Sequence, residues 1–241
     1  MASPAQPVPF HAVLVAAGSS RRLGGPVRKV WLALAGRPVL EHALAAFAAA
    51  EGLAGVVVVA PEEDHARIEA LATALGLEGR CRAVTGGAER CHSVRRGVEA
   101  LGPEAELVLV HDAARPLVRP ADCARVAAEV ARTGAAALAS PVRDSLHRAA
   151  EGLVTQAVPR EDLWAAETPQ GARVPVLLEA LAAAEARGEH PTDEITALRA
   201  AGVPVTLVQG VGPNPKLTWP GDLPLFEFLL SARANPSSPT P

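Results

Sequence analysis

The chain contains no tyrosine, and aromatic residues make up only 3% of its 241 positions. Alanine and leucine must therefore carry the core. Cysteine is scarce: Cys81, Cys91 and Cys123 are scattered, odd in number and form no CxxC pair. That spacing suggests neither a disulfide framework nor a zinc site, and reads as reduced, mostly buried thiols. Positive charge is not in excess. The formal net charge of -3 argues against general nucleic-acid binding, which needs a basic surface. No apolar run reaches membrane-spanning length. Met1 to Pro9 shows neither the charged n-region nor the apolar h-region of a signal peptide. The expected compartment is the cytoplasm.

An apolar fraction of 49% is ample for a sizeable core. Apolar strand runs alternate with amphipathic stretches from residue 11 to about 140. Strands are expected at His11–Ala16, Gly55–Ala60, Cys81–Thr85, Leu107–His111 and Ala135–Ser140. Helices are expected at Pro38–Ala50, Glu62–Leu75, Cys91–Leu101 and Pro120–Arg132. Pro38 and Pro120 suit the first helical turn, where no amide bond is lost. This rhythm predicts an α/β fold, with a mostly parallel sheet flanked by helices. It breaks at Val142–Val158, which reads as a two-stranded β arm. An isolated hairpin is marginal alone, so it needs something to pack against, and a second subunit is the natural candidate. Thr168-Pro169-Gln170 ends a short extended piece. Val174–Arg187 and Asp193–Ala201 read as helices, Pro204–Gln209 as a last strand and Gly221–Ala234 as a last helix. No internal repeat and no linker divides the chain, so 1–234 reads as one domain, followed by a disordered Pro/Ser-rich tail at 235–241.

The most informative stretch follows the first strand: Ala16-Ala17-Gly18-Ser19-Ser20-Arg21-Arg22, with Lys29 shortly after. Small residues allow close approach of backbone to a ligand, and converging cations suit a triphosphate. The carboxyl end of a first strand is where α/β folds bind nucleotides. A turn of this kind can also serve packing alone. GxGxxG and GxxxxGK[ST] are both absent, which counts against a dinucleotide-dependent oxidoreductase and a P-loop enzyme. His111-Asp112-Ala113-Ala114-Arg115-Pro116 ends another strand. Asp112 there suits magnesium, which takes one or two protein carboxylates plus phosphate oxygens and water. Gly86-Gly87 leads into a helix whose amino end offers free amides to an anion or a base edge. Lys216 lies in a constrained segment, Asn214–Thr218, after the last strand.

Taken together and in order, these pieces resemble the 2-C-methyl-D-erythritol 4-phosphate cytidylyltransferases of the non-mevalonate isoprenoid pathway. The motifs are Ala16-Ala17-Gly18…Arg22…Lys29, Gly86-Gly87…Arg90…Ser93, His111–Pro116, Pro141–Ser145, Thr168-Pro169-Gln170, Thr192-Asp193-Glu194 and Lys216. The resemblance runs from about His11 to Leu230. It implies a nucleotide-diphospho-sugar transferase fold of Rossmann-like type and a homodimer whose arms interlock. It implies a reaction in which CTP and methylerythritol phosphate, with Mg2+, give the cytidine diphosphate derivative and pyrophosphate.

The resemblance also implies roles. Ala16, Ala17, Gly18 and Ala113 would lie along the nucleotide, and Gly86, Gly87 and Ser93 would meet the cytosine. Arg22 would hold the outer phosphates, with Lys29 and Lys216 flanking the α-phosphate. Asp112 would bind the metal. Arg115, Ser145, Arg160, Thr168 and Thr192 would bind methylerythritol phosphate, Ser145 and Arg160 reaching from the partner subunit. Ser20, Arg28 and Ala88 depart from the family pattern, where glycine, proline and an acidic residue are usual. Arg28 competes with Lys29 as the residue that faces the phosphates. A cytidylyltransferase for another polyol phosphate, such as ribitol 5-phosphate, is the alternative within enzymes. A non-catalytic nucleotide-binding subunit would be expected to lose Lys29, Asp112 or Lys216, and all are present.

Overall fold

The computed structural model describes residues 6–18 and 27–234. Arg22 and Ser20 therefore lie outside the described residues, as does the expected tail at 235–241. The first strand, β1 (Phe10–Val15), is followed by a single 3-10 turn at Lys29–Trp31 and a two-residue ladder, β2 (Ala33–Leu34) with β3 (Arg37–Pro38). Next come α1 (Val39–Ala48), β4 (Leu53–Ala60), α2 (His65–Ala74), β5 (Cys81–Thr85), α3 (Arg90–Glu99) and β6 (Leu107–Asp112). The chain continues through α4 (Pro120–Thr133), β7 (Ala135–Pro141), β8 (Leu146–Ala150), β9 (Leu153–Val158) and β10 (Trp164–Arg173). It closes with α5 (Val174–Ala186), α6 (Glu194–Ala200), β11 (Thr206–Gln209) and α7 (Leu223–Ala234).

Seven strands form one sheet in the order β11-β7-β10-β6-β1-β4-β5. All neighbours run parallel except β10, which is antiparallel to both β6 and β7. The mostly parallel sheet is thus as expected, but the extended piece at Thr168–Gln170 continues into a ten-residue strand inside it. The proline at 169 hid this strand, since proline lacks the ladder donor. The β10–β7 register shifts between Ala166 and Gln170, around that proline. Pro38 is a second difference. It pairs with Ala33 in the small ladder and caps α1 from outside the helix. Pro120 does occupy the first turn of α4.

Alternation along the strands divides the core in two. Phe10, Ala12 and Leu14 face α1, α2 and α4, while Val13 faces α3, α5 and α6 with Val57, Val59, Val108 and Val110. With few large aromatics, the layers pack closely through small residues. A Cβ on Gly97 of α3 would fall 2.5 Å from Val13 and 2.7 Å from Val59, so the helix meets the sheet there with no side chain between. A third cluster (Leu34, Val39, Leu117, Leu217 and Phe226) ties α7 to the rest. Among the described residues β8 and β9 pair only with each other, and nearly all their residues are exposed. Glu151 and Gly152, both at positive φ, make their turn. No helix among the described residues is long and apolar enough to cross a membrane.

Candidate active site

Parallel register sets the site. Val15 of β1 lies opposite Asp112 of β6, and Ala60 of β4 opposite Thr85 of β5. The loops that follow these strands therefore emerge side by side at the carboxyl edge of the sheet, where open α/β sheets bind ligands. They enclose a cleft of about 320 Å³ lined by Val15, Ala16, Ala17, Gly18, Lys29, Val30, Gly87, Ala88, Glu89, Arg90, Ser93, Asp112, Ala114 and Lys216. A smaller recess of about 170 Å³ shares Arg90, Asp112 and Lys216 and adds Arg115, Ala166, Glu167, Thr168, Gln170, Thr192 and Asp193.

Lys29 reaches the cleft because its neighbours are anchored. Val30 and Trp31 are buried, the Trp31 indole donates to Asp64 at 2.7 Å, and the Arg67 guanidinium stacks 3.9 Å from the indole ring centre. Arg28 turns the other way, to Asp64 and Glu63. Of the competing cations, Lys29 lines the cleft and Arg28 does not. The Gly86-Gly87 turn is pinned from α3: Arg96 donates to the Gly86 carbonyl at 2.6 Å, and the Gly87 amide donates to Ser93 Oγ at 3.0 Å. A Cβ on Gly86 would sit 2.6 Å from Ala17 Cβ, so the first and third loops touch only because Gly86 has no side chain.

Asp112 is the centre of the charge network. Its Oδ1 accepts from Arg90 Nε at 3.1 Å and its Oδ2 from Lys216 Nζ at 2.7 Å. Arg90 then grips Glu194 with both terminal nitrogens, at 2.7 and 3.1 Å. Burial alone would push the Asp112 carboxyl up, but Arg90 and Lys216 outweigh it and hold it well below the usual carboxylate range. Burial likewise works against the Arg90 charge, and Glu194 and Asp112 overcome it. Burial pushes the Glu194 carboxyl up, with Arg90 opposing.

A hydrogen-bonded chain fixes the Asp112 loop. The Asp112 amide donates to Thr168 Oγ1 at 3.1 Å, and Thr168 Oγ1 lies 2.9 Å from His111 Nδ1. His111 Nε2 faces the Arg115 carbonyl at 3.1 Å. A carbonyl only accepts, so Nε2 carries the proton and Nδ1 accepts from Thr168. Burial pushes the His111 imidazole down to about 4, consistent with this neutral form. Asn214 extends the chain: its Nδ2 donates to the Thr168 carbonyl at 2.8 Å, and Arg115 Nη1 donates to the Asn214 carbonyl at 2.7 Å. With Leu217 buried and its amide bonded to Ala114 O at 2.8 Å, the segment presents Lys216 over Asp112.

Of the residues singled out from the sequence, Ala16, Ala17, Gly18, Lys29, Gly87, Ser93, Asp112 and Lys216 meet in the cleft. Gly86 lies directly behind Ala17. Arg115, Thr168 and Thr192 meet in the recess. Ala113 does not line either space: it is fully buried, its amide bonded to Val15 O at 3.1 Å, and Ala114 takes the lining position. Ser145 and Arg160 come together on the ribbon in a hollow that shares no residue with the cleft or the recess. Sequence reasoning gave no role to Arg90 or Glu194, although both stand in the quoted motifs. It also passed over Gln170, whose Oε1 accepts from the Ile195 amide at 2.9 Å and braces the start of α6. Glu167 Oε2 and Arg115 Nε are buried without a partner among the described residues, and both residues line the recess.

The chain can now be set beside known proteins. The family described as IspD, 2-C-methyl-D-erythritol 4-phosphate cytidylyltransferase, matches residues 10–232. An enzyme of that name from Cereibacter sphaeroides is 44% identical over 225 residues, covering 93% of this chain and 98% of its own. One from Pelotomaculum thermopropionicum is 39% identical over 224 residues, covering 92% and 94%. The crystal structure of the enzyme of that name from Thermus thermophilus superposes with a TM-score of 0.76 at 36% identity, covering 91% of this chain and 98% of the other.

Proposed function

The chain belongs to the 2-C-methyl-D-erythritol 4-phosphate cytidylyltransferase family, and from that premise we propose that it joins CTP to 2-C-methyl-D-erythritol 4-phosphate, releasing pyrophosphate. The observation that supports this most is the convergence of Lys29, Arg90, Asp112 and Lys216 in one cleft, which Ala16, Ala17, Gly18 and Gly87 also line.

The chemistry follows from charge. The nucleophile is a phosphate monoester oxygen, already anionic, so no strong base is needed. Repulsion between it and the triphosphate is the obstacle, and cations that hold both in line lower it. Lys29 and Lys216 flank the α-phosphate as the new phosphorus–oxygen bond forms and the bond to the departing pyrophosphate breaks. Arg22 holds the outer phosphates. Ala16, Ala17, Gly18 and Ala114 run along the nucleotide, with Ala113 buried beside Ala114, and Gly86, Gly87 and Ser93 meet the cytosine. Arg115, Thr168 and Thr192 hold the polyol phosphate in the recess. Glu167 Oε2 and Arg115 Nε, without a partner among the described residues, offer an acceptor and a donor to its hydroxyls.

The donor set fits magnesium: Asp112 is a hard oxygen ligand kept ionised on the wall of a cleft with room for phosphates and water. Asp112 would hold the ion, which when bound neutralises phosphate charge and stabilises the leaving group. Lys216 and Arg90, which neutralise Asp112 here, are then available to substrate phosphates.

We read the β8–β9 ribbon as an arm that pairs two copies into a homodimer. Leu153 and Val154 are 73% and 67% exposed on it, and Ser145 and Arg160 line a hollow that shares no residue with the cleft of their own chain. The unpaired thiols fit the reducing cytoplasm.

The test is pyrophosphate release with CTP, magnesium and either methylerythritol phosphate or ribitol 5-phosphate, with ATP and GTP as controls. Release with CTP and methylerythritol phosphate alone is expected. Release with ribitol 5-phosphate instead would keep the CTP site and reassign the acceptor, and silence with both would overturn the reading.

A further inference from the structure

We propose that Cys91, His92 and His190 form a binding site for a borderline-soft divalent cation of the zinc type, distinct from the magnesium-type site at Asp112. The Cys91 sulfur and one ring nitrogen of each histidine lie within 4.8 Å of one another. Thiolate and imidazole select zinc over magnesium, which takes hard oxygen ligands. Tetrahedral zinc, with bonds of about 2.0–2.3 Å, holds its ligand atoms about 3.3–3.6 Å apart. The trio must therefore contract. His190 can supply that movement, because it is exposed and lies on the connection between α5 and α6.

The surroundings favour a cation. The His92 and His190 rings already meet edge to face, with centres 5.4 Å apart and planes at 88°. Glu89 and Glu185 add negative potential at the Cys91 sulfur. Burial, together with these carboxylates, pushes its thiol up, amides of the first turn of α3 opposing only in part, so a bound ion displaces that proton. Three protein ligands leave one tetrahedral position for water. Sequence spacing concealed the site, because its third ligand comes from a distant connection and no CxxC pair is involved.

The position couples it to the cleft. A Cβ on Gly87 would fall 2.4 Å from His92 Cβ, so the cleft turn rests directly on a metal ligand. Arg90 and Ser93, on either side of Cys91 and His92, line the cleft. Thr192 and Asp193, shortly after His190, line the recess. An ion here clips the start of α3 to the loop that leads into α6, joining the walls of the two spaces.

The experiment is a cobalt titration of the chelator-treated full chain in excess magnesium, followed by displacement with zinc. We expect a thiolate-to-cobalt charge-transfer band and tetrahedral d–d bands that saturate at one equivalent per chain. Zinc should erase them. Cys91→Ser should remove the charge-transfer band, Cys81→Ser should retain it, and His190→Ala should weaken binding at least ~10-fold. The exposed His190 keeps the test independent of folding, and the spectrum keeps it independent of the cytidylyltransferase reading. No band at saturating cobalt would overturn the proposal. So would a band that survives Cys91→Ser, or unchanged affinity in His190→Ala.

Discussion

Replacing Glu194 by glutamine isolates the buried pair that joins α3 to α6. The Glu194 side chain is 1% exposed and that of Arg90 22% exposed, and their two bonds measure 2.7 and 3.1 Å. Glutamine keeps the volume and one acceptor oxygen, but turns an amide NH2 toward a guanidinium donor. One charge-assisted hydrogen bond is lost, at about 1.5–3 kcal/mol. Relief from burying a carboxylate offsets part of the donor–donor contact that replaces it. Net destabilisation of about 1.5–3 kcal/mol corresponds to a melting shift of about 3–12 °C in a protein of this size. Alanine should cost more, about 3–5 kcal/mol, because it leaves the whole Arg90 fork unanswered. The assay is denaturant and thermal unfolding of both variants beside wild type. Arg90 also loses one of its two anchors, so the apparent KM for CTP should rise in the glutamine variant. A glutamine variant as stable as wild type would refute the reasoning, since the pair would then carry no net free energy.

Lys29→Ala should lower turnover by about 10²–10³, the effect of removing one electrostatic donor at a transition state. Circular dichroism should match wild type, and near-normal turnover in a folded variant would remove Lys29 from its role. Arg160→Ala should raise the apparent KM for methylerythritol phosphate far more than that for CTP, and equal effects on both would count against a substrate-side position for Arg160. His42 gives a pH prediction. Its Nε2 donates to the Leu34 carbonyl at 2.7 Å and its Nδ1 accepts from Arg37 at 3.2 Å, an arrangement that needs neutral imidazole. Burial holds its pKa below the ordinary value, so the unfolded chain takes up a proton that the folded one refuses. Stability is fully present above pH ~6.5 and falls as pH drops below it. His42→Asn should flatten that slope in pH-resolved unfolding, and an unchanged slope would exclude His42 as its source.

Much of the architecture was legible because its signals are local. Buried parallel strands read as short apolar runs, and Cys81–Thr85 was bounded to the residue. Motifs that directly follow such runs, Ala16-Ala17-Gly18 after β1 and Asp112 at the end of β6, fall at the carboxyl edge of any parallel sheet. The full length of β10 is not legible in the sequence, because Pro169 interrupts its ladder and Trp164, Ala165 and Ala166 are exposed. The choice between Arg28 and Lys29 was equally hidden, since it turns on Asp64, brought against the 3-10 turn by packing.

The sequence by itself determined most of the strands and helices, which loops end the parallel strands, and the chemical kind of each of those loops. Those depend on residues close together in the chain. Only the tertiary structure decided what the charged side chains do. Arg90 meets Glu194 across 104 residues, Lys216 meets Asp112 across as many, and His190 reaches Cys91 and His92 from another element. Such pairings follow from strand order and helix packing, which set the energy of each charge through its distant neighbours and its burial.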